Sequence, residues 1–267
     1  MKGRIREDVP DEDYFADPSF SQSRAKVLLE SPAKYRWQLT QPVTTSDAFD
    51  VGHVVHAKVL GVGLPVWVID AEDWKKPVHR AERDAARSYG FTPMLREQHA
   101  TTERMAEAVL TNTAARAALE AQGDVELSMW WTDPDSQIDC KGRVDKAAAT
   151  DAGTSLVDLK SAADGSPRGF TSSAAKYGYR LQGGAYCDGW DCITGERPAG
   201  FLFITVETDA PHLVATYSLT EWDIDAGRAK WREACARLAD YRARDLWPAY
   251  ATELPDFAPL DLPAWAV

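Results

Sequence analysis

The spacing of apolar positions changes along the chain, and each change predicts a change of element. Residues 24–30 have helical spacing after the Ser-rich run 19–23, which supplies an N-cap. The Ser31-Pro32 step closes that helix, because the residue before proline is pushed out of the α region. A second helix is expected over about 48–60, ending at Gly61 and Gly63. Residues from about 79 to 122, rich in Ala, Glu and Arg, read mostly as helix. The period then falls to two. Over 125–132 the residues alternate, with Glu126, Ser128 and Trp130 on one face and Val125, Leu127, Met129 and Trp131 on the other. Turn residues 133–136 lead into a second strand at 138–146, so the two form a hairpin. Another turn at 150–154 leads to a third strand at 155–161. A helix over about 172–190, strands at 200–207 and 212–219, and a long helix over about 221–243 complete the pattern. The residues after about 245 hold Pro248, Pro255, Pro259 and Pro263 and read as an extended tail. This order predicts an α/β domain with a mixed central β-sheet flanked by helices.

Composition narrows the function classes. The 267 residues are 45% hydrophobic and 27% charged, enough apolar material for a sizeable core. No apolar run approaches the roughly 18 residues of a membrane span. The amino-terminal residues 1–13 have no apolar core, so no secretory signal is expected and the cytoplasm is the expected compartment. A net charge of −11 argues against a general coat for nucleic acid. Residues 141–180 depart from that balance, with seven basic and four acidic side chains against −14 for the remainder. Cys140, Cys187, Cys192 and Cys235 form no C-x-x-C pair, so they are expected to be free thiols that act mostly as small buried hydrophobes.

That positive stretch holds the candidate chemistry. Asp158 and Lys160 are two apart in a strand and point to one face, inside the apolar frame of Leu156, Val157 and Leu159. The carboxylate can hold Mg²⁺, and the ammonium can orient or help deprotonate water and offset phosphate charge. Taken alone, such a pair reads more simply as a salt bridge at a strand end. Asp145 comes alongside Asp158 if the two strands pair, and Glu126 adds a third acid on the strand before. Three converging carboxylates would repel one another unless a divalent cation gathered them. Gly52 and His56 lie one helical turn apart, so the imidazole can be a ligand or phosphate contact, or simply a satisfied core side chain. His53 lies off that face. Tyr179, Gln182 and Tyr186 stand at i, i+3 and i+7 on the following helix. Gln182 can bond the lysine, a base or a phosphate, and the tyrosines can stack on sugar or base or form an aromatic core stripe.

In that order, Gly52-x-x-x-His56, Glu126, Lys141-Gly-Arg-Val-Asp145, Asp158-Leu-Lys160 and Gln182-x-x-x-Tyr186 resemble the PD-(D/E)XK nucleases of the RecB, RecE and λ-exonuclease branch. The opening at 21–35 and the close at 247–265 are similar to RecE-type phage exonucleases. The resemblance implies one nuclease domain over 1–267, with about 65–120 a helical insertion and about 245–267 an extended tail. It implies a Mg²⁺-dependent exonuclease (Mn²⁺ also serving, and two ions) that digests one strand of duplex DNA from its 5′ end for recombination. His56, Glu126, Asp145 and Asp158 would then be metal ligands, Lys160 would act on the attacking water, and Gln182 and Tyr186 would position that assembly or the strand. The second acid is Asp158 rather than Glu, which leaves the coordination open. The iron–sulfur cysteine pattern of some relatives is absent. The resemblance also implies a ring-shaped homo-oligomer encircling DNA, which would reconcile a pI near 5.0 with a basic channel. Arg24, Lys141, Arg143, Arg168, Lys176, Tyr179 and Arg180 are the candidate DNA contacts. A RecT-like single-strand annealing protein is the expected partner, and the bacterial host cytoplasm the expected location if a phage encodes the chain. The rivals are a RecB-like single-strand or endonucleolytic DNase, an inactive DNA-end-binding subunit, and a purely structural α/β protein.

Overall fold

A computed structural model describes residues 3–7, 9–41, 47–250 and 259. The chain opens with β1 (Arg4–Arg6), α1 (Asp11–Ala16), α2 (Gln22–Glu30), α3 (Pro32–Gln38) and α4 (Asp47–Leu60). Ser21 caps α2, and Ser31 both ends α2 and caps α3, whose first residue is Pro32. Next come β2 (Val66–Ile69), α5 (Pro77–Ser88), β3 (Thr92–Leu95), α6 (Arg96–Thr111) and α7 (Thr113–Glu120). The expected helical insertion therefore carries a strand pair, for β2 and β3 form a separate two-stranded parallel sheet. Four-residue strands are too short for alternation to be legible, and a proline at position 93 further obscures the second.

The hairpin strands β4 (Val125–Thr132) and β5 (Asp139–Thr150) and the third strand β6 (Gly153–Ala162) follow, as expected. Asp133 closes the first turn by accepting from Ser136 N at 2.8 Å, and a two-residue loop joins Thr150 to its partner Gly153. The single helix expected over about 172–190 is two helices, α8 (Pro167–Tyr177) and α9 (Tyr179–Thr194). Ser166 caps α8 early, and Gly178 breaks the run by adopting φ 69°. The chain ends with β7 (Gly200–Glu207), β8 (Val214–Ser218) and α10 (Glu221–Arg244). Most of the expected tail lies outside the described residues. Its start docks on α3, where Pro248 O accepts from Ala33 N at 3.1 Å and Trp247 stacks on Tyr35.

The central sheet has the order β1-β4-β5-β6-β7-β8, with β6 and β7 parallel and the other neighbours antiparallel. Alternation along β6 and β7 sorts the core into two layers. Leu156, Phe201 and Phe203 meet Leu28 of α2, Tyr186 of α9 and Trp231 of α10 on one side. Val157, Leu159, Ile204 and Val206 meet Val55 of α4, Met105 and Val109 of α6, and Ala115 of α7 on the other. Helices α9 and α10 cross at backbone distance: a Cβ on Gly184 would lie 2.1 Å from Gly227 C. Beside this crossing the fully buried Asp188 accepts from Arg228 at 3.1 Å and Arg232 at 2.8 Å. The cysteines are free, with Cys140, Cys187 and Cys235 buried. Among the described residues, no helix is long and apolar enough to cross a membrane.

Candidate active site

The site begins where two strands part. β5 and β6 pair from Thr150–Gly153 to Lys146–Val157, but the ladder stops one step before Asp145 and Asp158. β6 continues beside β7, so Leu159 has an amide and a carbonyl on its β5 side without a strand partner. Two side chains take those groups. Asp145 Oδ2 accepts from Leu159 N at 2.7 Å, and His56 Nε2, reaching over from α4, lies 2.8 Å from Leu159 O. A carbonyl only accepts, so Nε2 carries the proton and Nδ1 presents its lone pair. Nδ1 lies 3.5 Å from Asp145 Oδ2. Two acceptors facing each other at that distance call for a proton or a cation.

Glu126 completes the group. It adopts φ 51°, a left-handed conformation rare for a residue with a side chain, and the β4–β5 register skips it. His56, Glu126 and Asp145 each offer a ligand atom within 4.8 Å of the others. Burial, and then the Asp145 charge, raise the Glu126 pKa to about 7. Glu126 keeps 20% side-chain exposure and His56 26%, so solvent and ions reach them. An imidazole nitrogen and two carboxylates suit Mn²⁺ or Mg²⁺, and a divalent cation would relieve the repulsion that raises Glu126. The donor set thus fits the implied metal.

Asp158, the fourth expected ligand, lies beside this group, and its carboxylate oxygens meet Gln182 and Lys160. Gln182 Nε2 of α9 donates to Asp158 Oδ1 at 2.5 Å, and Lys160 Nζ is 2.5 Å from Oδ2. Gln182 thus reaches Asp158 rather than the lysine or a phosphate, while His56 approaches from the α4 side. Burial, opposed by Lys160 and joined by Asp145, raises the Asp158 pKa. Burial pulls Lys160 down, but Asp158 and Asp145 more than offset it and the ammonium pKa is raised. Lys160 also sits 5.1 Å over the Tyr179 ring. Tyr186 is buried against Gly142, so it supports the floor of the sheet beneath the site.

The expected DNA contacts divide in two. Lys141 is buried at 3% exposure and donates to the carbonyls of Tyr14 and Asp17, so it ties α1 to the sheet and does not face a channel. Arg143 is held by Asp11 at 2.5 Å, Val9 O at 2.8 Å and Ser128 Oγ at 3.0 Å. Arg24 bonds the carbonyls of Pro18 and Ser19, and Arg180 pairs with Asp223 at 2.7 Å. Arg168 and Lys176 are exposed and form no ion pair among the described residues. The ring of Tyr179 is half-buried, stacked on Phe203 and on Tyr177. Sequence reasoning missed Asp11, which lies 3.6 Å from His53 and links α1 to the site, because nothing in residues 1–13 marks a contact with β5. It also missed Lys26, which donates to Tyr177 O at 2.7 Å.

A mixed sheet whose forked strands present acids and a lysine beside a helical histidine is the arrangement of a PD-(D/E)XK nuclease fold. The PDDEXK-like domain of unknown function DUF3799 matches residues 21–255, and the chain belongs to that family. Among solved structures, the fold is similar to that of a protein of Eubacterium rectale designated a candidate exonuclease, at 15% identity and TM-score 0.64, over 97% of this chain and 96% of that one. A phage-related exonuclease of Haemophilus somnus 129PT aligns at 11% identity and TM-score 0.37, over 85% of this chain and 96% of that one. No curated protein matches the sequence.

Proposed function

We propose that this chain is a divalent-metal-dependent exodeoxyribonuclease that hydrolyses one strand of duplex DNA from the 5′ end and leaves a 3′ single strand. The observation that carries the reading is the β5–β6 fork, where Leu159 holds Asp145 and His56 so that they meet Glu126, with Lys160 on the next residue. Mg²⁺ or Mn²⁺ held by His56, Glu126 and Asp145 would polarise the phosphoryl group and make water nucleophilic near neutral pH. The chain's own groups do the rest. Leu159 O holds the proton on His56 Nε2, so in the neutral ring Nδ1 is the atom that would meet the ion. Lys160, whose ammonium is favoured by Asp158 and Asp145, would offset charge that builds on the phosphate and orient the attacking water. Asp158, locked by Gln182, aims that ammonium. The exonuclease designation of the Eubacterium rectale protein agrees with this reading. A second ion, a ring-shaped homo-oligomer and an annealing partner belong to the same proposal.

The test is digestion of end-labelled duplex by the full chain with Mg²⁺ or Mn²⁺, on 5′-phosphate and 5′-hydroxyl ends, with circular duplex and single strands for comparison. Release of nucleotides from 5′ ends of linear duplex, lost with EDTA and in Asp145→Asn, is the expected result. Cutting of circles would make the protein an endonuclease. Binding of ends without hydrolysis under either metal would leave an end-binding subunit. Undiminished release in Asp145→Asn would trace to a contaminant or refute the site.

A further inference from the structure

The rings beside Lys160 form a short stack that runs from the core to solvent. Phe203 of β7 lies innermost, and Tyr179 stacks on it with centroids 5.3 Å apart and planes at 30°. Lys160 Nζ sits over the Tyr179 ring. Tyr177 comes next, 6.1 Å from Tyr179 at 29°. Tyr179 is thus engaged on several sides by the protein, whereas Tyr177 is 49% exposed. Sequence spacing pointed to Tyr179 as the stacking residue, but the ring with area to offer is its neighbour.

Tyr177 is also held in place. It ends α8, and Gly178 turns the chain into α9 through a left-handed conformation. Lys26 of α2 packs its stem against Gly178, where a Cβ would lie 3.0 Å from Lys26 Cδ, and donates Nζ to Tyr177 O at 2.7 Å. The ring therefore projects from a junction of two helices clamped by a third. Its surroundings are cationic. Lys176 Nζ sits over the Tyr177 ring, 5.3 Å from its centroid, where a stacking base would displace it toward the adjoining phosphate, and Arg168 is exposed earlier on the same helix. Of the nearby acids, Asp223 is paired with Arg180, and Asp164 accepts from Ser166 N at 2.9 Å.

We infer that Tyr177 is the platform on which one nucleobase of the cleaved strand stacks, with Lys176 holding the adjoining phosphate, one ring outward from the lysine of the site. Every base offers a flat π-face, so an exposed ring beside an ammonium that has no ion pair among the described residues suits a DNA strand of any sequence. This inference rests on the hydrolytic reading above for the identity of the strand.

A chemical double-mutant cycle tests it on the full chain. One partner is Tyr177→Ala, with Tyr177→Phe beside it; the other is a single abasic tetrahydrofuran residue moved along the labelled strand. Tyr177→Ala is expected to lower kcat/KM by about ten- to a hundredfold, mostly through KM, and Tyr177→Phe to keep it. At one strand position the abasic residue should cost the wild type the same factor and cost Tyr177→Ala nothing further. Losses that multiply at every position, or an unchanged Tyr177→Ala of native melting temperature, would overturn the platform. So would a change of oligomeric state in Tyr177→Ala, which would assign the ring to a subunit contact. If the wild type releases no nucleotide, 2-aminopurine fluorescence separates the two ideas. Quenching in the wild type that Tyr177→Ala loses would keep the platform and remove the hydrolytic reading, and no quenching in either would remove both.

Discussion

Glu126 carries two costs that folding does not require. Its left-handed backbone costs an L-residue about 1–2 kcal/mol, and its carboxyl is lifted to about 7 by burial and by Asp145. A carboxyl raised in the folded state binds its proton more tightly there, so the ionised form weakens the metal-free protein above about pH 7. Glu126→Gly removes both costs at once. The metal-free variant is expected to be more stable than the wild type at pH 8 by about 1 kcal/mol, or about 2–4 °C in Tm, and inactive. A variant that lost stability along with activity would make Glu126 structural. Asp145→Asn separates charge from scaffolding, because the amide oxygen can still accept from Leu159 N. It should fold and melt close to the wild type, yet lose activity by at least about a hundredfold. Mn²⁺ at about a hundred times its dissociation constant should stabilise the wild type by about 2.7 kcal/mol and leave Asp145→Asn unmoved. Equal Tm shifts in both proteins would place the ion elsewhere.

At the scale of elements, the central strands were legible and the places where they fail to pair were not. β4, β5 and β6 follow from alternation and from the turns at 133–136 and 150–154, and their residues Glu126, Asp145 and Asp158 could be picked out as acids in apolar frames. The fork itself has no signature in the spacing, because it depends on Asp145 replacing a ladder bond to Leu159. That is why the spacing gave no sign that Asp158 meets Lys160 and Gln182. The break at Gly178 was hidden for a related reason: glycine at 178 weakens a helix without marking where it ends, and Lys26, more than a hundred residues earlier, sets the junction. Lys141 shows the converse error, for a basic residue in a positive stretch was read as surface while its neighbours bury it. The α9–α10 crossing gives a test at this scale. Gly184→Ala would push a methyl into the Gly227 backbone, and the helices can only separate. A loss of about 1–3 kcal/mol is expected in chemical denaturation, with the transition kept cooperative. Since Gln182 and Tyr179 ride on α9, activity should fall as well; unchanged stability would show that the two backbones are not in contact.

For the molecule as a whole, charge sets the strongest constraint on how DNA is engaged. With a net charge of −11, the surface at large repels a polyanion, so attraction has to be local. Some expected contacts are already spent inside the protein: Lys141 on carbonyls and Arg143 on Asp11. Among the expected contacts in the described residues, the exposed ones are Arg168, Lys176 and Arg180, the last in a surface pair with Asp223. About three neutralised phosphates give a slope of log binding constant against log salt near −3 for duplex DNA. The measurement uses Ca²⁺ to suppress cleavage and varies monovalent salt, with sedimentation run on the same samples. A slope near −3 at every loading, in a single-subunit species, would describe a short basic strip that grips one end of DNA. A slope several times steeper, with a closed oligomer in sedimentation, would mean that strips from several subunits face a shared passage, as a ring requires. Removing Lys176 should flatten the slope by about one per engaged subunit, which makes the number of strips countable from the same titration.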